Sequence, residues 1–191
     1  TSGNVFYLDE VRKKRMTIEV GEVPTETSIF ARLLNLFFSL LTSVNVQQGL
    51  PSNNPDVLKY QCCLLLDEFT ALGVMPAIQH GVAYLAGYGM RLVIIIQTPS
   101  QVADIYGREA TRVFFTNFGC QIVFPPREQT DAEEYSKLVG FETFKARSVS
   151  RSSGKGSSRS QSTSDQRRAV MNPDELKMMP QGDCIISLRN S

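Results

Sequence analysis

At 191 residues the chain is long enough for one domain with a real core and too short to hold two comfortably. Hydrophobic residues make up 42% and charged residues 20%, with 11 Phe and no Trp, which excludes a disordered or low-complexity polymer. The formal charge of +1 identifies no partner by itself, because the basic residues are unevenly spread.

The first segment, Phe6 to Val11, is short, acidic and apolar, and Arg12-Lys13-Lys14-Arg15 follows it. Met16 to Val20 alternates with period two and predicts a strand closed by Val23-Pro24. Thr25 or Thr27 is the expected cap of a helix over Ser28 to Thr42. That helix carries Ile29, Leu33, Leu36, Phe37, Leu40 and Leu41 at helical spacing, widened by Phe30, Leu34 and Phe38, so it is expected to pack deeply against a sheet. Gln47 to Asp56 reads as a loop.

Cys62 to Leu66 is an unbroken apolar run ending at Asp67-Glu68, the pattern of a strand buried on both faces of a parallel sheet. A helix over Pro76 to Ala86 and a second buried strand, Arg91 to Ile96, come next, and the strand stops at Gln97-Thr98. The same grammar repeats with a helix over Gly107 to Phe115, a strand over Cys120 to Phe124 and a helix over Thr130 to Val139 ended by Gly140. Such alternation predicts a three-layer α/β domain with a largely parallel sheet. In the tail, Phe144 to Ser150 reads as a strand, Asn172 caps a short helix that starts at Pro173, and Cys184 to Leu188 is a closing strand. Arg151 to Asp165 reads either as a linker or as the tip of a long hairpin.

The four cysteines, Cys62, Cys63, Cys120 and Cys184, have no metal-ligand spacing and His80 is the lone histidine, so buried free thiols are expected. No run approaches the roughly 18 to 20 apolar residues of a membrane-spanning helix. The chain opens on Thr without a signal peptide, and is expected to be a fragment.

Two carboxylates directly after a buried strand lie at its carboxyl end, where α/β sheets bind ligands. In a nucleotide triphosphatase the first holds the magnesium shell and the second polarises the attacking water, which makes Asp67 and Glu68 candidates for those roles. Gln97, at the end of what should be the neighbouring strand, is placed for its amide to touch the γ-phosphate or that water.

Asp67-Glu68-Phe69 with Leu72-Gly73, then Gly89 to Gln97, Ser100-Gln101, Tyr106-Gly107, Asn117-Phe118-Gly119 and Val123-Phe124, resembles the second half of the nucleotide-binding domain of the type IV secretion coupling proteins. The likeness continues through Glu133 to Gly140, the Ser-rich Arg151 to Arg168, Met171 to Leu176 and Pro180 to Asp183, and Phe6 to Pro24 also fits, so it covers nearly the whole chain. It implies a RecA-like P-loop NTPase fold spanning 1–191 as the carboxy-terminal portion of a motor domain, with 144–191 a basic Ser-rich hairpin or loop and closing strand inside it. It also implies an ATP- and magnesium-dependent hexameric ring at the cytoplasmic face of the inner membrane. That ring recruits relaxase-bound DNA or effector proteins, with adaptors, to a secretion or conjugation channel. By the same resemblance Asp67 and Glu68 are the magnesium-site and water-activating acids and Gln97 is the phosphate sensor.

The sequence holds no G-x-x-x-x-G-K-S/T phosphate loop, since Gly154-Lys155-Gly156 lacks both the strand and the spacing, so these residues alone are expected to be catalytically dead. An arginine completing a neighbouring subunit's site is expected in a ring. Arg112 and Arg108, four apart on one helix face, are the first candidates, with Arg91 and Arg127 behind them. Seven bases against the single acid Asp165 lie between Lys145 and Arg168. Among them Arg151, Lys155, Arg159, Arg167 and Arg168 are candidates for contact with nucleic acid or with a neighbouring subunit, a choice that Arg12 to Arg15 shares. Two other readings stand beside this one, a DNA translocase unconnected with secretion and a non-catalytic module that binds adaptors or substrate.

Overall fold

The computed structural model describes residues 6–21, 27–151 and 159–189. The chain divides into two compact units, Thr1–Phe118 and Gly119–Ser191.

In the first unit, helix α1 (Thr27–Gln47) precedes strand β1 (Cys62–Leu66), and α2 (Pro76–Gly81) leads to β2 (Met90–Ile94). Two further helices follow, α3 (Pro99–Tyr106) and α4 (Arg108–Asn117). β1 and β2 are parallel neighbours with Cys62 opposite Met90 and Leu66 opposite Ile94. Their crossover is a helix and turns, as parallel pairing demands. The core gathers Leu64, Leu66, Phe69, Met75, Ile78, Leu85, Met90, Val102 and Phe114 from these elements.

Tyr106 closes this core. Its ring stacks on Phe69 with centroids 5.4 Å apart and meets Phe114 edge-on at 5.1 Å. Its hydroxyl donates to the Gly73 carbonyl and accepts the Met75 N–H, both at 3.0 Å. Burial pushes its pKa up to about 12, against the opposing pull of the Met75 amide. Gly107 then turns the chain at φ 82, ψ 157, a conformation open to glycine, and so separates α3 from α4.

Several expectations are corrected here. Met16 to Val20 is extended without a ladder; Met16 and Ile18 lean on the core, so the alternation is real while no described strand pairs with it. The helix expected to end at Thr42 runs to Gln47. It buries Leu34, Leu41 and Asn45 but leaves Leu33, Leu36 and Leu40 exposed, so only one flank meets the core. β1 and β2 are covered on one face and not on both: Leu65, Val93 and Ile95 are exposed while Leu64 and Leu66 are buried. The Pro76 to Ala86 helix stops at Gly81 and gives way to a 3-10 turn at Leu85–Tyr88. The thiols are free, yet Cys63 and Cys120 are exposed on strands with an open face, Cys184 is exposed just before β6, and only Cys62 is half-buried.

Arg12, counted with the first basic cluster as a candidate contact, is not on the surface. It is fully buried and donates to Asn45 Oδ1 and Gly49 O at 3.2 Å, to Tyr88 O at 2.5 Å, to Gln48 Oε1 at 3.2 Å and to Asn45 O. Lys13 and Lys14 pair one turn back with Asp9 and Glu10, and Arg15 lies over the Tyr60 ring at 5.7 Å. The Thr25 cap and the Val23-Pro24 closure lie outside the described residues.

The second unit has β3 (Cys120–Val123) antiparallel to β6 (Ile185–Leu188), with Cys120 opposite Leu188. Among the described residues the parallel pairing is therefore that of β1 with β2. Helix α5 (Gln129–Val139) buries Asp131, Ala132 and Ser136. Burial, then Glu134 and Glu128, hold the Asp131 carboxyl above its usual range. An eleven-rung antiparallel ribbon pairs β4 (Phe141–Arg151) with β5 (Arg159–Ala169), while residues 152–158 of the stretch read as a linker or hairpin tip lie outside the described residues. The short α6 (Pro173–Lys177) is held by a capping box between Asn172 and Glu175.

Candidate functional site

The ends of β1 and β2 are tied together beyond the ladder. Ile95 N–H donates to Leu66 O at 3.0 Å and Phe69 N–H donates to Ile95 O at 3.2 Å. The two polar exits of these strands, Asp67-Glu68 and Gln97-Thr98, therefore leave one rim side by side. Glu68 and Gln97 line the same cleft, of about 340 Å³, together with Thr70, Ala71, Gln101, Asp104 and Ile105. That volume lies in the range of small-ligand sites.

The local chain explains how each group is held. Asp67 Oδ1 accepts the Glu68 N–H at 3.0 Å, which fixes that carboxylate at the turn and leaves its other oxygen open. Glu68 itself sits at φ 46, ψ 45, the one non-glycine residue with positive φ among the described residues. A left-handed backbone costs a non-glycine residue roughly 1–2 kcal/mol. Such strain concentrates where a side chain is aimed for function, and here it turns Glu68 into the cleft while Phe69 enters the core.

On the other exit, Thr98 caps α3 by accepting the Gln101 N–H at 3.3 Å. Gln101 Nε2 donates to Gln97 Oε1 at 3.4 Å, and Thr70 Oγ1 donates to Gln101 Oε1 at 3.4 Å. Gln97 thus belongs to a chain of amides and a hydroxyl that crosses the cleft and orients it. Gln101, Asp104 and Ile105, at helical spacing of three and four, bring one face of α3 to the cleft. The sequence reading missed that helix, although Thr98 followed by Pro99 is a cap with proline at the first helical position.

Asp67 is exposed beside Glu68 and is not among the cleft-lining residues. A magnesium ion takes oxygen ligands, commonly one or two carboxylates completed by water and phosphate oxygens. The open Asp67 oxygen next to Glu68 fits that donor chemistry. Among the described residues no group of three or more His, Cys, Asp and Glu comes together, so a dedicated all-protein cage is not what the site offers.

The arginines lie elsewhere. Arg108 and Arg112 are exposed on α4 outside the cleft lining, and Arg112 faces Glu109 at 3.7 Å across two highly exposed side chains. Arg91 stands at the start of β2, the end opposite Gln97, with its Nε donating to Gln61 Oε1 at 3.3 Å. Arg127 is an exposed residue of the second unit. Of the basic tail, Lys155 lies outside the described residues, and Arg151 and Arg159 are backbone register partners at the last rung of the ribbon. Arg167 lies over the Phe141 ring at 4.1 Å, and Arg168 is ion-paired with Glu175. No described helix is long and apolar enough to cross a membrane.

The family described as type IV secretory system conjugative DNA transfer matches residues 1–191. "Protein VirD4" of Agrobacterium fabrum (strain C58 / ATCC 33970) is 29% identical over 189 residues, which are 99% of this chain and 28% of that protein. "Conjugal transfer protein TraG" of Escherichia coli is 28% identical over 156 residues, 78% of this chain and 24% of that protein. The chain thus spans about a quarter of the length of these relatives. The plasmid coupling protein TrwB in complex with a non-hydrolysable ATP analogue superposes with a TM-score of 0.73 at 14% identity, over 97% of this chain and 41% of TrwB. Its complex with ADP and Mg2+ gives 0.72 at 15% identity, over 97% and 40%. These superpositions establish a shared RecA-like α/β fold.

Proposed function

We propose, from the premise that the chain belongs to the type IV secretory system conjugative DNA transfer family, that it is the carboxy-terminal part of an ATP-driven coupling protein. Such a protein moves DNA, relaxase-bound DNA or effector protein through a secretion channel. The observation that carries this reading is the convergence of Glu68 and Gln97 on one cleft, at the ends of adjacent parallel strands. The ADP, Mg2+ and ATP-analogue complexes of TrwB support ATP and magnesium as the ligands of that cleft.

In this account Glu68 orients and polarises the attacking water, and its left-handed backbone keeps the carboxylate in the cleft. Gln97, held by Gln101, contacts the terminal phosphate or that water. Asp67 would hold a magnesium ion, which would supply charge neutralisation for the phosphates. The β- and γ-phosphates need a phosphate loop, which a longer polypeptide carrying these residues supplies. The open face of β1 and β2 is then covered by the rest of the same motor domain. Arg112 or Arg108, exposed and outside the cleft, reaches a neighbouring subunit's phosphate in a hexameric ring at the cytoplasmic face of the inner membrane.

The test is ATP hydrolysis by the full-length protein, with and without magnesium and with and without single-stranded or duplex DNA. Magnesium-dependent turnover is expected, and a protein that neither binds nor hydrolyses ATP contradicts the reading.

A further inference from the structure

The geometry points to one face of the β4–β5 ribbon as a sequence-independent contact for the phosphate backbone of DNA. Each rung pairs residues of the same parity, Phe141 with Ala169 through Arg151 with Arg159, so odd-numbered residues share one face and even-numbered residues the other. Lys145, Arg147 and Arg167 are odd, as are the register positions of Arg151 and Arg159. The even face has one base, Arg168, which stands opposite Glu142 and is ion-paired with Glu175. The described bases are therefore sorted, with Lys145, Arg147 and Arg167 on one face beside the acid Asp165, the register partner of Lys145, and Glu142 and Arg168 on the other.

The rest of the odd face suits the same occupant. Thr143 and Thr163 are exposed between the bases, and hydroxyls of this kind also donate to phosphate oxygens. The aromatic ring on that face, Phe141, has the Arg167 guanidinium over it at 4.1 Å, so it offers a base little free stacking surface. The described bases run along the ribbon from the rung of Arg167 to that of Arg147, about 14 Å at 3.4 Å per rung. A row of cations of that length follows a strand backbone and reads no sequence. This selection of residues differs from the basic cluster taken as a block: it adds Lys145 and Arg147 and removes Arg168.

The inference rests on the proposed reading only for DNA as cargo, and its test needs no ATP. Fluorescence anisotropy of the full-length protein with a labelled 30-nucleotide strand and with a 30-base-pair duplex, between 50 and 200 mM salt without nucleotide, measures the contact. Replacing Lys145, Arg147 and Arg167 together by Gln is expected to weaken binding of the single strand about 100-fold at 0.1 M salt and to flatten its log–log salt slope by about 2, or by about 2.7 for the duplex. Arg168→Gln is expected to leave both unchanged. Arg147→Gln alone, a single exposed substitution at a position opposite Thr163, is expected to remove about 0.7 from the single-strand slope, so the answer does not depend on the triple variant folding. Unchanged slopes in the Arg147→Gln and triple variants, or an Arg168→Gln effect as large as that of the triple variant, overturn the inference. ATP turnover without DNA reports on the cleft and separates failure of the motor reading from failure of the ribbon.

Discussion

Glu68→Gln in the full-length protein is expected to lower ATP turnover by about 10²- to 10³-fold while leaving nucleotide binding intact. The magnitude is that of removing a positioned general base or water-orienting carboxylate. Gln keeps the length and shape of the side chain, adopts the same left-handed backbone and leaves the amide that Asp67 accepts untouched. Glu68 is exposed, so stability should change by no more than about 0.5 kcal/mol. A steady-state phosphate-release assay with a parallel titration of a fluorescent ATP analogue separates the two effects. Loss of both together indicates a binding role, and unchanged turnover removes Glu68 from the chemistry.

Arg12→Ala is expected to cost about 3–5 kcal/mol of stability, as much as truncating a large core side chain. Arg12 is fully buried and its acceptors are all neutral, namely three backbone carbonyls and two side-chain amides. It gathers the carbonyls at the end of α1, the loop at Gly49 and the turn at Tyr88. The same network extends through Asn45 Nδ2 to Leu8 O at 2.9 Å and through Gln48 Nε2 to Asp9 O at 2.6 Å. Removing the hub strands several buried acceptors at once and leaves a cavity, which is why the cost exceeds that of one lost hydrogen bond. Arg12→Lys should recover less than half of the loss, because an ammonium lacks the planar fork that reaches both sides. Urea unfolding of the full-length protein measures it. A midpoint unchanged in Arg12→Ala would mean that the clasp is not holding the unit.

The sequence made the strand ends legible and their surroundings much less so. An apolar run followed by Asp67-Glu68, and another followed by Gln97, identify strand exits from length and period alone, and their adjacency follows from a helical crossover between parallel strands. Gln101 and Asp104 were not found because their place depends on where α3 starts, and the Thr98-Pro99 signal was passed over. Burial of Arg12 was hidden for a deeper reason. Its acceptors come from residues 33 to 76 positions away, so a basic run that looks like a surface patch becomes a clasp only when those carbonyls converge. The sorting of the ribbon had the opposite character. The parity of Lys145, Arg147 and Arg167 is written in the chain, but it acquires meaning only once the pairing of β4 with β5 fixes which strand positions share a face.

The account depends most on Glu68 and Gln97 acting on the same phosphate from one rim, and a double-mutant cycle on ATP turnover measures this directly. In the full-length protein, Glu68→Gln, Gln97→Ala and the double variant are compared with wild type at saturating magnesium and ATP. Groups that act as a unit are grossly non-additive, so the double variant should be at most a few-fold slower than Glu68→Gln alone. If the two losses instead multiply in full, the acid and the amide serve separate sites, and the shared cleft is not where hydrolysis occurs.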